Sequence, residues 1–281
     1  MRTLSLGYSP CPNDTFIFYA LVHGRVGTGN LHFREILEDV ETLNRMAGQQ
    51  KLDLTKVSFH AFGHLRDHYC LLRAGGALGK GCGPLVVARE ACDMKELRGR
   101  TIAVPGTLTT AFLLLQIFDP QLAERVVVMP FHRIVRAVAE GEADAGLIIH
   151  ESRFTYQREG LTQVLDLGEW WERETGLPIP LGCIIARRAL GGDLVRKTEG
   201  LIRESLAYAR NHPDETREYI RSHARELEDS VIDRHVGLYV NEFSLDIGEE
   251  GIHAVEELFK RAAVQGIIAG SARPLFLNDG E

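Results

Sequence analysis

Cysteine is scarce in this chain: five of 281 residues. Cys11, Cys70, Cys82, Cys92 and Cys183 are odd in number and form no C-x-x-C pair, which argues against both a disulfide framework and a zinc knuckle. Positive charge is also short. The formal net charge is −7 and no Lys/Arg cluster builds a basic face, so binding to nucleic acid is not expected. Long apolar runs are missing, and with them any segment able to span a bilayer; no stable membrane association is expected. The first ten residues enter a strand pattern without the basic start, apolar stretch and cleavage site of a secretory signal. A cytoplasmic protein is the expectation. Low-complexity segments and fixed-period repeats are lacking too.

What remains is an ordinary globular composition, 44% hydrophobic and 25% charged, on a chain long enough for two cores. Strand-like and helix-like segments alternate from the start. Strands are predicted over residues 3–7, 31–36 and 54–58. Helices are predicted over 15–23, from about Val40 behind an Asp39 cap, and over 59–72. A Gly-rich stretch, residues 75–83, interrupts the pattern before a buried-type strand at 84–88. A second alternating block follows from Leu97, with strands at 101–104, 125–129, 145–149 and 162–165 and helices at 109–118 and 134–140. Another strand is read at 181–186, and from Asp193 onward the pattern is helical with breaks near Pro213, Asp229 and Gly248.

This order predicts an α/β protein of two lobes sharing a ligand cleft. The larger lobe would take residues 1–96 and 178–281 and the smaller inserted lobe 97–177, with the chain crossing near residues 88–99 and 175–181.

Chemistry-bearing residues concentrate in loops that follow strands. The run from Gly146 to Tyr156 places His150, Glu151, Ser152, Arg153 and Thr155 directly after an apolar strand. Ligands bind beyond the carboxyl ends of strands in open α/β sheets, and imidazole titrates in the range needed for proton transfer near neutrality. His150 therefore reads as a general base or as a structural cap, with Glu151 or a backbone carbonyl as its orienting partner. The Ser9 to Thr15 loop could present a helix N-terminus to an anion or be a plain capped loop, with Asn13 or Asp14 as the cap. Lys56 and Ser58 could hold a carboxylate, the alternative for Lys56 being a solvated surface position. Thr107, Thr109 and Thr110 lie on a strand-to-helix turn whose hydroxyls and N–H groups could bind a carboxylate or a sugar hydroxyl or simply cap the helix; the pattern of a nucleotide loop is missing. Cys11, between prolines, reads as a structural thiol rather than a nucleophile. His60, His64 and His68 have i, i+4, i+8 spacing on a predicted helix, but no H-E-x-x-H pattern accompanies them and a solvated face is the ordinary explanation.

Several segments resemble a known family over essentially the whole chain: residues 9–24 (SPCPNDTFIFYALVHG), 38–44 (EDVETLN), 83–89 (GPLVVAR), 146–156 (GLIIHESRFTY) and 240–251 (VNEFSLDIGEEG). They are similar to the 1,4-dihydroxy-6-naphthoate synthases of the futalosine route to menaquinone. The resemblance implies a periplasmic-binding-protein type II fold in a cytoplasmic enzyme. It further implies a carbon–carbon lyase that turns cyclic dehypoxanthine futalosine, a small anionic substrate, into 1,4-dihydroxy-6-naphthoate without metal or redox cofactor. It makes His150 the proton acceptor, gives Lys56, Val57, Ser58, Thr110 and Ala111 contacts to substrate, and places Asn44, Glu151, Leu181 and Tyr239 around the same pocket. The related chorismate dehydratase is the nearest family to confuse with it. A non-catalytic solute-binding protein is the alternative from another class.

Overall fold

The computed structural model describes residues 1–224 and 228–277; residues 225–227 and 278–281, both within the expected larger lobe, lie outside the described residues. Two sheets form. The first is built from β1 (Arg2–Tyr8), β2 (Leu31–Leu37), β3 (Leu54–Ser58), β4 (Tyr69–Leu71), β5 (Ala77–Gly79) and β11 (Ile179–Arg187). Its order is β2-β1-β3-β11-β4, with β5 also on β11. β1 runs parallel to β2 and β3, and β11 is antiparallel to β3, β4 and β5. The second sheet, order β10-β6-β9-β7-β8, uses β6 (Leu85–Ala88), β7 (Ile102–Val104), β8 (Val126–Val128), β9 (Ala145–Ile148) and β10 (Thr162–Asp166).

Helices cover the sheets. They are α1 (Pro12–Val22), α2 (Val40–Gly48), α3 (Phe59–Leu65), α4 (Thr110–Phe118), α5 (Phe131–Ala139), α6 (Ser152–Thr155), α7 (Leu167–Thr175), α8 (Gly192–Asn211), α9 (Pro213–His223), α10 (Asp229–Tyr239), α11 (Glu242–Leu245) and α12 (Gly248–Val264). One continuous core joins the sheets: Val57, Ile179 and Ile185 of the first belong to the same buried cluster as Val86, Ile102 and Leu147 of the second, through Phe62 of α3, Leu113 of α4, Trp171 of α7 and Phe259 of α12. A separate cluster packs α1, α8 and α9 on the first sheet, and another packs α5 on the second.

Four expectations are corrected. Helix α1 starts at Pro12 rather than Thr15, because a proline at the first turn needs no N–H partner and Cys11 supplies the extended cap position. The helix expected over 59–72 ends at Leu65: Tyr69, Cys70 and Leu71 pair with Arg187, Ala186 and Ile185 of β11. Their β-favouring side chains are buried there, so tertiary pairing overrides a continued helix. The Gly-rich stretch contributes a strand, β5. Finally, β6, expected in the first lobe, pairs with β9 and β10 of the second sheet. The chain therefore crosses between β5 and β6, not near residue 96; buried apolar runs do not say which sheet they join.

One contact fixes the loop after β9. Arg153 donates from Nη2 to Asp166 Oδ2 at 2.7 Å and from Nη1 to the Gly83 carbonyl, while Asp166 caps α7 through Gly168 N and Glu169 N. Gly83 and Gly168 meet backbone to backbone; a Cβ on Gly83 would lie 2.3 Å from Gly168 N and Cα. Gly83→Ala is expected to lower unfolding stability by about 1–3 kcal/mol through overpacking, read as a drop in urea midpoint. An unchanged midpoint would show that the two backbones are not in contact.

Candidate active site

The loop after β1 turns directly into α1 at Pro12, which aims Asn13 and Asp14, residues of the first turn, into the space between the sheets. Asp14 is 2% exposed and Lys56, from the middle of β3, is 5% exposed. Their charges pair at 3.2 Å. Asp14 also accepts from Ser9 N, Ser9 Oγ and Asn13 Nδ2, and Lys56 donates to the Gly75 carbonyl at 2.7 Å. These bonds provide what a buried ion pair requires to offset its desolvation. Lys56 is thus an interior residue and not the solvated surface lysine of the alternative reading.

β3 ends at Ser58, whose N–H donates to Asn44 Oδ1 at 3.0 Å while its Oγ accepts from Asn44 Nδ2 at 3.3 Å. Asn44 lies on α2 and also donates to Leu108 O, and Glu41, one turn earlier, accepts from Leu108 N at 3.2 Å. The turn before α4 belongs to the second lobe, so these bonds clasp the lobes on one side. On the other side Thr110 Oγ1 donates to Leu181 O at 2.6 Å. Burial raises the Glu41 carboxyl above the ordinary carboxylate range, and bonds from Asn44 and Leu108 work against that rise. Gly106 lets the chain pass close beside it: a Cβ there would lie 2.4 Å from the Glu41 carboxylate, which would have to shift.

His150 follows β9 with φ of 56°, a left-handed conformation uncommon outside glycine. The turn drops its imidazole into the cleft, where it packs 5.0 Å from Phe131 and stacks near-parallel to His235 at 6.0 Å. Burial pushes its pKa down to about 4, against an upward pull from Asp14 and Asp39 and with a downward push from Lys56. At pH 7 the ring is neutral and can accept a proton.

A cavity of about 650 Å³ collects these groups. Lys56, Val57, Ser58, Thr110, Ala111, His150, Leu181 and Tyr239 line it, so eight of the ten residues expected around the site converge. Asn44 stands behind Ser58. Glu151 is buried next to His150 but does not line the cavity, its Oε2 3.9 Å from Nδ1 of His235. Ser9, Asn13, Asp14 and Thr109 also line the cavity. His235 was not anticipated: it sits fully buried on α10 with Nε2 3.0 Å from Asn13 Oδ1, and nothing in its helical surroundings signals a long-range partner. His60 is also buried, bonded through Nδ1 to Thr109 O, and His64 lies beside its ring. His68 falls beyond the end of α3, so the i, i+4, i+8 face does not form.

The two-lobe architecture with its cleft is that of the periplasmic binding proteins. A Candida albicans protein described as having the generic periplasmic binding protein fold superposes with a TM-score of 0.70 at 14% identity, covering 96% of this chain and 92% of its own. The chain belongs to the menaquinone biosynthesis family, which it matches over residues 4–264. Among its relatives, a 1,4-dihydroxy-6-naphthoate synthase of Thermus thermophilus is 56% identical over 277 residues, 99% of this chain and all of that one. A synthase of the same name from Streptomyces coelicolor is 48% identical over 270 residues, 95% of each chain. Among the described residues no helix is long and apolar enough to cross a membrane.

Removing one member of the buried pair strands the other charge. Asp14→Asn is expected to cost about 3 kcal/mol of stability, and the double variant with Lys56→Met less than the sum of the two single changes. Urea unfolding of the four proteins measures the coupling; additive losses would mean the two charges do not interact.

Proposed function

We propose that this protein is a carbon–carbon lyase that converts cyclic dehypoxanthine futalosine to 1,4-dihydroxy-6-naphthoate in the cytoplasm. The observation that carries the reading is a neutral imidazole, His150, held at the wall of an interlobe cavity in a chain 56% identical to a synthase of that product.

In this reading substrate lies between the Lys56 to Ser58 edge of β3 and the first turn of α4, Thr110 and Ala111. The N-terminal end of α4 favours an anionic group, while Lys56, paired with Asp14, contacts substrate through its stem. Leu181 and Tyr239 form apolar walls that hold the ring system, Asn44 fixes the Ser58 hydroxyl, and Glu151 supports the His150 loop from behind. His150 accepts a proton from the bound substrate. The electron pair left behind breaks a carbon–carbon bond, the sugar-derived fragment departs, and formation of an aromatic ring drives the step. The chemistry needs no electron acceptor. A base with so low a pKa is a weak one, so positioning and exclusion of water between the clasped lobes carry much of the acceleration.

His150→Asn is expected to keep fold and substrate affinity and to lose turnover by about 10²–10⁴, the usual worth of general-base assistance. Chromatography of product from purified substrate measures it. Tight binding of unchanged substrate by the unmodified protein would instead indicate a solute receptor, and wild-type turnover by the variant would remove His150 as the base.

A further inference from the structure

Three ligand-type atoms converge beside the cavity: Cys11 Sγ, a ring nitrogen of His150 and a carboxylate oxygen of Glu151 all lie within 4.8 Å of one another. His235 lies beside this cluster, next to Glu151. Asn13 donates through Nδ2 to Asp14, which turns its Oδ1 toward His235; Oδ1 can only accept, so Nε2 of His235 carries the proton. Nδ1 of this fully buried ring is then a lone pair, without a hydrogen-bond partner, 3.9 Å from Glu151 Oε2.

We infer that Cys11, His150 and Glu151 form a binding site for a thiophilic divalent cation of the Zn²⁺ class, with His235 packed beside Glu151, and that occupancy shuts off the His150 base. The donor set of thiol, imidazole and one carboxylate selects Zn²⁺ or Co²⁺ over Mg²⁺ or Ca²⁺, which prefer oxygen ligands alone. On binding, a metal–sulfur bond replaces the S–H bond of Cys11 and the thiol proton leaves to solvent. A route inward exists. Cys11 and His150 line a second cavity of about 1150 Å³, which also carries Glu38, Asp39 and Glu41 against the single cation Arg45, a surplus of negative charge that concentrates cations. Because a neutral imidazole has one free lone pair, a metal on either nitrogen leaves the other as N–H, and His150 can no longer accept a proton.

Metal binding is tested without reference to the reaction, so its failure is separable from failure of the lyase reading. Reduced protein is titrated with Co²⁺, followed by the thiolate-to-cobalt charge-transfer band, and Zn²⁺ is then competed against a chromophoric chelator. One equivalent with the thiolate band is expected. Cys11→Ser should abolish the band, and Cys11→Ser, Glu151→Gln and His150→Asn should each weaken Zn²⁺ at least about ten-fold, with circular dichroism verifying the fold of each. Glu151→Gln and His150→Asn keep the test decisive should Cys11→Ser fail to fold. In turnover assays Zn²⁺ should inhibit the unmodified protein and EDTA restore it. Absence of binding, absence of the thiolate band, or equal Zn²⁺ affinity in the folded variants, which would mark an adventitious ion only, overturns the site.

Discussion

Lys56 and Asp14 meet 3.2 Å apart with almost no water on either. Two charges are taken out of solvent at a cost of several kcal/mol each, and the surroundings are arranged around meeting that cost. The carboxylate takes bonds from Ser9 and Asn13 on the β1–α1 turn, and the ammonium reaches the Gly75 carbonyl in the Gly-rich segment. Asn13 passes the network to His235 on α10. Four stretches of chain distant in sequence are thereby fixed around one cavity. The pair also sets the electrostatics of His150: Asp14 pulls its pKa up, Lys56 pushes it down, and burial decides for the neutral ring.

Closure of the cleft depends on weaker bonds. Glu41 and Asn44 meet the backbone of Leu108, and Thr110 meets the backbone of Leu181, so each lobe holds the other by main-chain groups on both sides of the cavity. Side-chain bonds of this kind contribute about 1 kcal/mol each, few enough to open and re-form as ligand enters and leaves. A receptor with this fold needs only such a clasp. A catalyst also needs a titratable group in the right state at the wall, and the left-handed turn at His150 delivers one.

Much of this was legible in the sequence, for stated reasons. β9 is an apolar run ended by polar residues, and a histidine just after it stands out because titratable groups are unusual at the end of a buried strand. Asp39 was readable as a cap, and it accepts from Glu41 N and Thr42 N. Asp14 was noted as a helix cap but faces the cavity, since Pro12 starts the helix earlier than a loop reading of two prolines allows. β4 and β5 were missed because three-residue strands have no period of their own and their pairing to β11 is decided far along the chain. The Lys56–Asp14 and His235–Asn13 contacts had no local signal at all. The membership of β6 in the second sheet was hidden for the same reason: burial is readable, the partner strand is not.

The pH dependence of kcat/KM tests the neutral imidazole of His150 most directly, measured after brief jumps from a neutral stock so that unfolding does not contribute. In the proposed mechanism His150 works in its unprotonated form, so rate is retained above its folded pKa and lost as pH falls through it. The profile should stay level from pH 8 to about 5 and fall with an apparent pKa of about 4. A fall centred near 6.5, the ordinary value for imidazole, would mean that His150 is solvated and that the cleft does not control its protonation.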